Sequence, residues 1–209
     1  MKIKAYILVV LTMALLMSPI IQNVQADPEQ SKEYQIKAAF LYNFIKFVDW
    51  PKEKMPDSNE PIIIGIIGKD PFGDAFEPVK NKPVKDKKIV IKRFVGLEEL
   101  EKSADKNKAE FDKKVEPLRK CHVLFICSSE KEYLEEIIKA LKGSHVLTVA
   151  DSEGFLESGG IINFIMEKKK VCFEINVTAA KRAKLEIRSQ LLRLAKKIVE
   201  EKPSDEEKS

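Results

Sequence analysis

The 209-residue chain is poor in the residues that usually carry chemistry. It has two histidines, His122 and His145, three cysteines and one tryptophan. No Cys-x-x-Cys is present, so the spaced ligand set of a structural zinc site is missing. No Gly-x-Ser-x-Gly occurs, which removes the usual nucleophile elbow. The glycines at 154–160 lack phosphate-loop spacing, and no Lys-Ser/Thr follows them. An excess of one charge is missing too: 37 Lys+Arg face 33 Asp+Glu, for a net +4. Without the first 26 residues, which hold Lys2, Lys4 and no acid, the net charge falls from +4 to +2. That balance speaks against a nucleic-acid binder, which concentrates positive charge. At 44% hydrophobic, the chain is not of disordered composition.

What is present begins with an export pattern. Lys2 and Lys4 precede an apolar run over 5–17, broken only by Thr12 and stopped by Ser18-Pro19. Val24-Gln25-Ala26 supplies small residues for a signal peptidase, as in a secretory leader. The run is shorter than the roughly 20 residues of a spanning helix. No cysteine follows it, so lipid anchoring is not expected. The reading is a signal peptide over 1–26, one α/β domain over 27–202, and a disordered charged tail over 203–209. The exported protein is then periplasmic, with no membrane insertion after cleavage.

Hydrophobic periodicity alternates helices with strands. Ile36, Phe40, Phe44, Phe47 and Val48 recur at helical spacing over 33–48, and Trp50-Pro51 stops that helix. Residues 62–67 and 122–126 are continuous apolar runs, as in strands buried on both faces. Further strands are expected at 88–94 and 145–149, with helices near 72–79, within 97–115, and over 130–141. Segments 161–166 and 171–176 flank Glu167-Lys168-Lys169-Lys170 and read as an antiparallel hairpin. A last amphipathic helix is expected at 190–199. The fold class is α/β: one domain with a mixed, mostly parallel sheet of five to six strands, flanked by helices.

In such sheets ligands bind beyond the carboxyl ends of the strands. Three polar loops are expected there. They contribute Lys69, Asp70, Phe72 and Gly73, then Ser128 and Ser129, then Asp151, with Gly159, Gly160 and Asn163 soon after. Local capping competes with ligand binding for each. Asp70-Pro71 fits a helix N-cap, Ser129 with Glu132 fits a capping box, and Asp151 fits a cap on the turn 152–155. A hydrolase using Ser128 or Ser129 with His145 and Asp151 is disfavoured, because His145 begins a strand at the opposite edge.

The cysteines matter in an oxidising compartment. Cys121 and Cys127 sit at the two ends of one strand, too far apart to pair. Any bridge within the chain therefore includes Cys172, with Cys121 or Cys127. The alternative is three reduced thiols packed as small apolar groups.

Several blocks occur together in order. They are Tyr34-Gln35-Ile36-Lys37-Ala38-Ala39-Phe40-Leu41-Tyr42-Asn43-Phe44 leading to Trp50-Pro51, Asp70-Pro71-Phe72-Gly73, Cys121-His122-Val123-Leu124-Phe125-Ile126, Val146-Leu147-Thr148-Val149, Gly159-Gly160-Ile161-Ile162-Asn163-Phe164, Phe173-Glu174-Ile175-Asn176, and Leu191-Leu192 with Leu194-Ala195. This set resembles the YfiR-like family of exported bacterial proteins. The resemblance implies a periplasmic α/β domain, often a homodimer, without catalysis, cofactor or metal. It further implies a negative regulator that binds the periplasmic part of an inner-membrane diguanylate cyclase, lowering cyclic di-GMP and biofilm formation. Redox control through disulfides belongs to that picture. Cys121 fits a family cysteine position, but no cysteine lies between Asp27 and Lys120, and Cys127 and Cys172 look particular to this chain. The alternative function is a periplasmic small-molecule binding or sensor module that uses the three loops.

Intact-mass measurement of the exported protein should place its amino terminus at Asp27. Retention of the first 26 residues in a membrane-bound form would overturn the leader.

Overall fold

The structure is a computed structural model that describes residues 28–54, 60–104 and 107–200. The expected leader, its cleavage position and the expected tail lie outside the described residues.

Helix α1 (Pro28–Phe47) opens on proline, with Glu29 in its first turn and Lys46 in its last, which suits the helix dipole. It buries Tyr34, Ala38, Leu41 and Ile45, spaced at four, three and four residues. Of the stripe expected from Ile36, Phe44 and Val48 are fully buried and Phe40 and Phe47 pack against the core, whereas Ile36 is 39% exposed. The helix passes into β1 (Val48–Asp49), which pairs antiparallel with β8 (Glu186–Ile187). Arg188 clamps this pair, giving Asp49 two hydrogen bonds of 2.7 and 2.8 Å.

The main sheet contains β2 (Ile62–Ile67), β3 (Ile89–Phe94), β4 (Val123–Ile126), β5 (Leu147–Ala150), β6 (Ile162–Glu167), β7 (Lys170–Asn176) and β9 (Lys197–Val199). Their order is β3-β2-β4-β5-β6-β7-β9. All neighbours are parallel except β6 and β7. The β6–β7 turn places Lys168 and Lys169 at positive φ, 48° and 63°, which suits the twist of a two-residue hairpin.

Side chains alternate between two layers. Ile64, Ile66, Phe125, Val149, Phe164 and Phe173 face α1, together with α6 (Val177–Arg182) and α7 (Ser189–Leu192). Ile67, Leu124, Ile126 and Ala150 face α3 (Leu97–Ser103), α4 (Lys108–Arg119) and α5 (Leu134–Ala140). Phe44 is fully buried, with its ring 5.6 Å from Phe164 and 5.1 Å from Phe173. Burying one such side chain contributes about 1.5–3 kcal/mol.

Several expectations need correction. The main sheet has seven strands, because the expected helix at 190–199 ends at α7 and becomes β9. The free edge of β7 supplies hydrogen-bonding groups, and the Lys196 N–H donates to the Phe173 carbonyl at 2.9 Å. Leu194 is left 65% exposed. The helix expected at 130–141 starts as a 3-10 turn over Ser128–Tyr133. Near 72–79 only α2 (Glu77–Lys80) is regular helix. The charged stretch splits into α3 and α4, with Asn107 Oδ1 accepting from the Ala109 and Glu110 N–H groups.

His122 ties the start of β4 to β2, since its Nδ1 accepts from the Ile63 N–H at 3.1 Å. Only the neutral ring accepts there. Burial holds the His122 pKa below the ordinary value, with Lys87 adding to the effect and a backbone bond at Lys54 opposing it. The unfolded chain then takes up the proton first as pH falls. Stability from this group is present above about pH 6.5 and is lost as pH drops toward the folded-state pKa. The urea midpoint should fall from about pH 7 to pH 5, and His122→Gln should flatten that dependence. An unchanged slope in the variant would contradict this assignment.

Candidate functional site

The strand order reverses around β2: β3 lies on one side of it and β4 on the other. This switch point is where open α/β sheets commonly hold ligands. The loops after β2, β4 and β5 meet at that edge, as expected.

The crevice between β2 and β4 is filled from within. Ser129 Oγ accepts the Lys69 N–H at 3.0 Å and donates to Glu130 Oε1 at 3.0 Å. Glu130 Oε2 accepts the Leu97 N–H at 2.8 Å, which caps α3. Glu130 is buried at 5% exposure. Gly68, at φ +97°, and Gly96 are pressed against this group. An added Cβ would stand 2.4 Å from Ser129 Oγ at Gly68 and 2.6 Å from Glu130 Oε1 at Gly96. The positive φ requires glycine at Gly68, and at Gly96 a Cβ would push the Glu130 carboxylate off the Leu97 N–H. The expected Ser129–Glu132 capping box does not form, because Ser129 is spent across the crevice. Glu130 was not among the expected site residues: its bond to Leu97 spans 33 positions of the chain.

Asp70 caps a turn rather than a helix. Its Oδ1 accepts the Phe72 N–H at 2.7 Å, and its Oδ2 accepts from Arg93 Nε at 2.5 Å. Arg93 also donates to the Gly73 carbonyl at 3.1 Å, so β3 fastens the loop. Phe72 belongs to the core, with its ring centroid 4.8 Å from Phe125 and 5.1 Å from Tyr34.

Asp151, at the end of β5, does not cap the turn that follows. Lys37 Nζ reaches its Oδ2 at 2.6 Å, and the Tyr34 hydroxyl donates to the same oxygen at 2.9 Å. Lys37 also pairs with Glu33 at 2.5 Å and lies 4.3 Å above the Tyr34 ring. Burial, then the Asp151 charge, pushes the Tyr34 phenol well above its usual pKa and keeps it a donor. Asp151 Oδ1 and Ser152 Oγ are buried without a hydrogen-bond partner. The Ser152 N–H instead donates to Asn163 Oδ1 at 3.2 Å. Beside this cluster lies a cavity of about 250 Å³ lined by Glu33, Tyr34, Lys37, Ser128, Asp151, Phe164, Ile165 and Met166.

Lys69 and Ser129 are thus brought together, as are Ser128 and Asp151. Gly159 and Gly160 are not, since they precede β6 at the opposite edge. Gly160 is needed for packing: a Cβ there would stand 2.3 Å from the Phe155 ring. His145 also stands at the amino edge, where its carbonyl accepts from Trp50 Nε1 at 2.9 Å. Ser128 and Ser129 therefore have no histidine at hand.

All three cysteines are free. Sheet order puts Cys172 on β7 three strand spacings from β4, about 14 Å, beyond the reach of a disulfide. Burial pushes the Cys121 thiol up to about 12 and raises Cys127 as well, which keeps both protonated and inert. Among the described residues no group of three or more His, Cys, Asp and Glu is placed to hold a metal ion. No helix among them is long and apolar enough to cross a membrane.

Comparison with known proteins agrees with the blocks read from the sequence. A model of the family described as YfiR/HmsC-like matches residues 34–196. The chain belongs to that family. A search of the curated proteins finds no match. Among solved structures, a conserved domain protein from Vibrio cholerae O1 biovar El Tor is similar at a TM-score of 0.51 and 12% identity, over 79% of this chain and 60% of that one. An ABC domain from Streptococcus pneumoniae, solved with L-Trp, is similar at 0.51 and 9% identity, over 80% of this chain and 60% of that one. These likenesses are of fold alone, and the chain spans about 60% of the length of both structures.

Glu130→Ala should lower unfolding stability by about 1–3 kcal/mol, because it orphans the buried Leu97 N–H. Glu132→Ala, the residue of the expected box, should stay within about 0.5 kcal/mol of the parent. Equal losses in denaturant titrations would contradict the assignment.

Proposed function

We propose that the chain is an exported periplasmic regulator that represses an inner-membrane diguanylate cyclase by direct contact, and so lowers cyclic di-GMP and biofilm formation. Membership of the YfiR/HmsC-like family supports the regulatory theme. The observation that carries the contact mechanism is an exposed apolar flank on α1 and β6. Ile36 is 39% exposed and Met166 51%. Phe40, one turn from Ile36, rests its half-buried ring against Phe164 and Phe173. Met166 pairs with Val171 across the hairpin and extends the same face. Leu192 and Ala195 pack partly buried against the core, and Leu194 and Ile198 stand 65% and 46% exposed near β9. Exposed apolar surface of this kind marks interaction sites. Closure of the switch-point crevice by Glu130 speaks against the small-molecule alternative at the loops.

Ile36→Glu combined with Met166→Glu tests the proposal in living cells. Both side chains are exposed, so the variant should fold and keep the parent's melting temperature. Cyclic di-GMP should rise to the level of the deletion strain. Full repression by the folded variant would remove the proposal.

A further inference from the structure

We infer that the cavity between Lys37 and Met166 receives a basic side chain, arginine first, from the protein that docks on this flank. The inference rests on the docking reading above and names the chemistry of the partner's anchor. The cavity adjoins the apolar flank through Met166, which belongs to both.

The ionisable side chains at the cavity are two carboxylates, Glu33 and Asp151, one ammonium, Lys37, and the protonated phenol of Tyr34. Their sum is one negative charge. Lys37 is spent on Glu33 Oε1 and Asp151 Oδ2. Tyr34 adds its hydroxyl to the same Oδ2. Asp151 Oδ1 is left without a partner, although the Asp151 side chain is 8% exposed. A buried carboxylate oxygen with no donor is costly and calls for a donor.

The occupant must donate hydrogen bonds, carry positive charge and tolerate an apolar wall. An anion would meet two carboxylates. A guanidinium offers five donors, no acceptor and a fork shaped for carboxylates. It is weakly hydrated, so desolvation on entry is less costly than for an ammonium. Its methylene stem can lie along Phe164 and Met166. A cavity of about 250 Å³ accommodates one such side chain, not a folded element. Glu33 is 26% exposed at its side chain and stands at the entrance. Asp151 Oδ1 is shielded from solvent, so the guanidinium meets the Glu33 carboxylate first.

The test uses two tripeptide probes, N-acetyl-Leu-Arg-Leu-amide and its citrulline counterpart, which keeps the shape and loses the charge. Each is titrated into the whole exported protein and followed by amide NMR. Shifts should concentrate at Lys37, Asp151 and Met166. The citrulline probe should bind at least about tenfold more weakly. Glu33→Gln should weaken the arginine probe and leave the citrulline probe unchanged. Equal affinity for both probes, or shifts centred elsewhere, would overturn the inference. Arginine-selective binding, with repression untouched by Ile36→Glu, would remove the cyclase reading and keep the cavity assignment. Loss of repression in Ile36→Glu, with no arginine preference, would keep docking and remove the assignment. A doubled solution mass that Ile36→Glu abolishes would make a second copy the occupant of the flank and overturn an outside partner.

Discussion

Lys37 carries its ammonium inward along α1 to Asp151 at the end of β5, and the placement of α1 depends on that meeting. The pair is 4% and 8% exposed, with Tyr34 and Glu33 closing around it. Such a buried pair contributes little net stability, because desolvation offsets the attraction. Its effect is positional. With Lys37, Tyr34, Ala38 and Leu41 inside, the turn of an α-helix carries Ile36 outward. The same rotation seats Phe44 on Phe164 and Phe173 and brings Tyr34 over Phe72. The ionic contact and the apolar stripe thus agree on which residues of α1 form the core and which face outward.

The carboxyl edge of the sheet follows a different logic. Its topology is that of a ligand-binding crevice, with the order reversing around β2. Yet Glu130 fills that crevice and uses its carboxylate on the helix end where an anion would otherwise sit. Ser129 and the two glycines are shaped around it. The edge is consumed by structure, so exposed chemistry shifts to the flank where α1 meets β6. Family membership supports the regulatory theme, and the proposed contact surface is that flank.

Much of this was legible in the chain. The segments expected as buried strands at 62–67 and 122–126 became β2 and β4, and the charged turn at Lys168-Lys169 became the hairpin. The polar loops were placed at the correct edge. What sequence reasoning missed are relations between distant residues. Glu130 meets Leu97, and Asp151 meets Lys37 across 114 positions. No local pattern distinguishes these acids from ordinary surface acids. β9 was missed because Leu191, Leu194, Ala195 and Ile198 fit a helical period, while an open edge on β7 offered strand pairing instead. The structure leaves all three thiols free, the alternative the sequence kept open, and only the strand order reveals how far Cys172 lies from β4.

The most direct test of the account is site-specific photo-crosslinking in living cells. A photoreactive phenylalanine analogue would replace Ile36 in one strain and Gly73, in the loop after β2, in another. The account predicts an adduct from position 36 with an inner-membrane protein carrying a diguanylate cyclase domain, and none from position 73. An adduct from position 73 alone would contradict it and return the function to the carboxyl edge of the sheet.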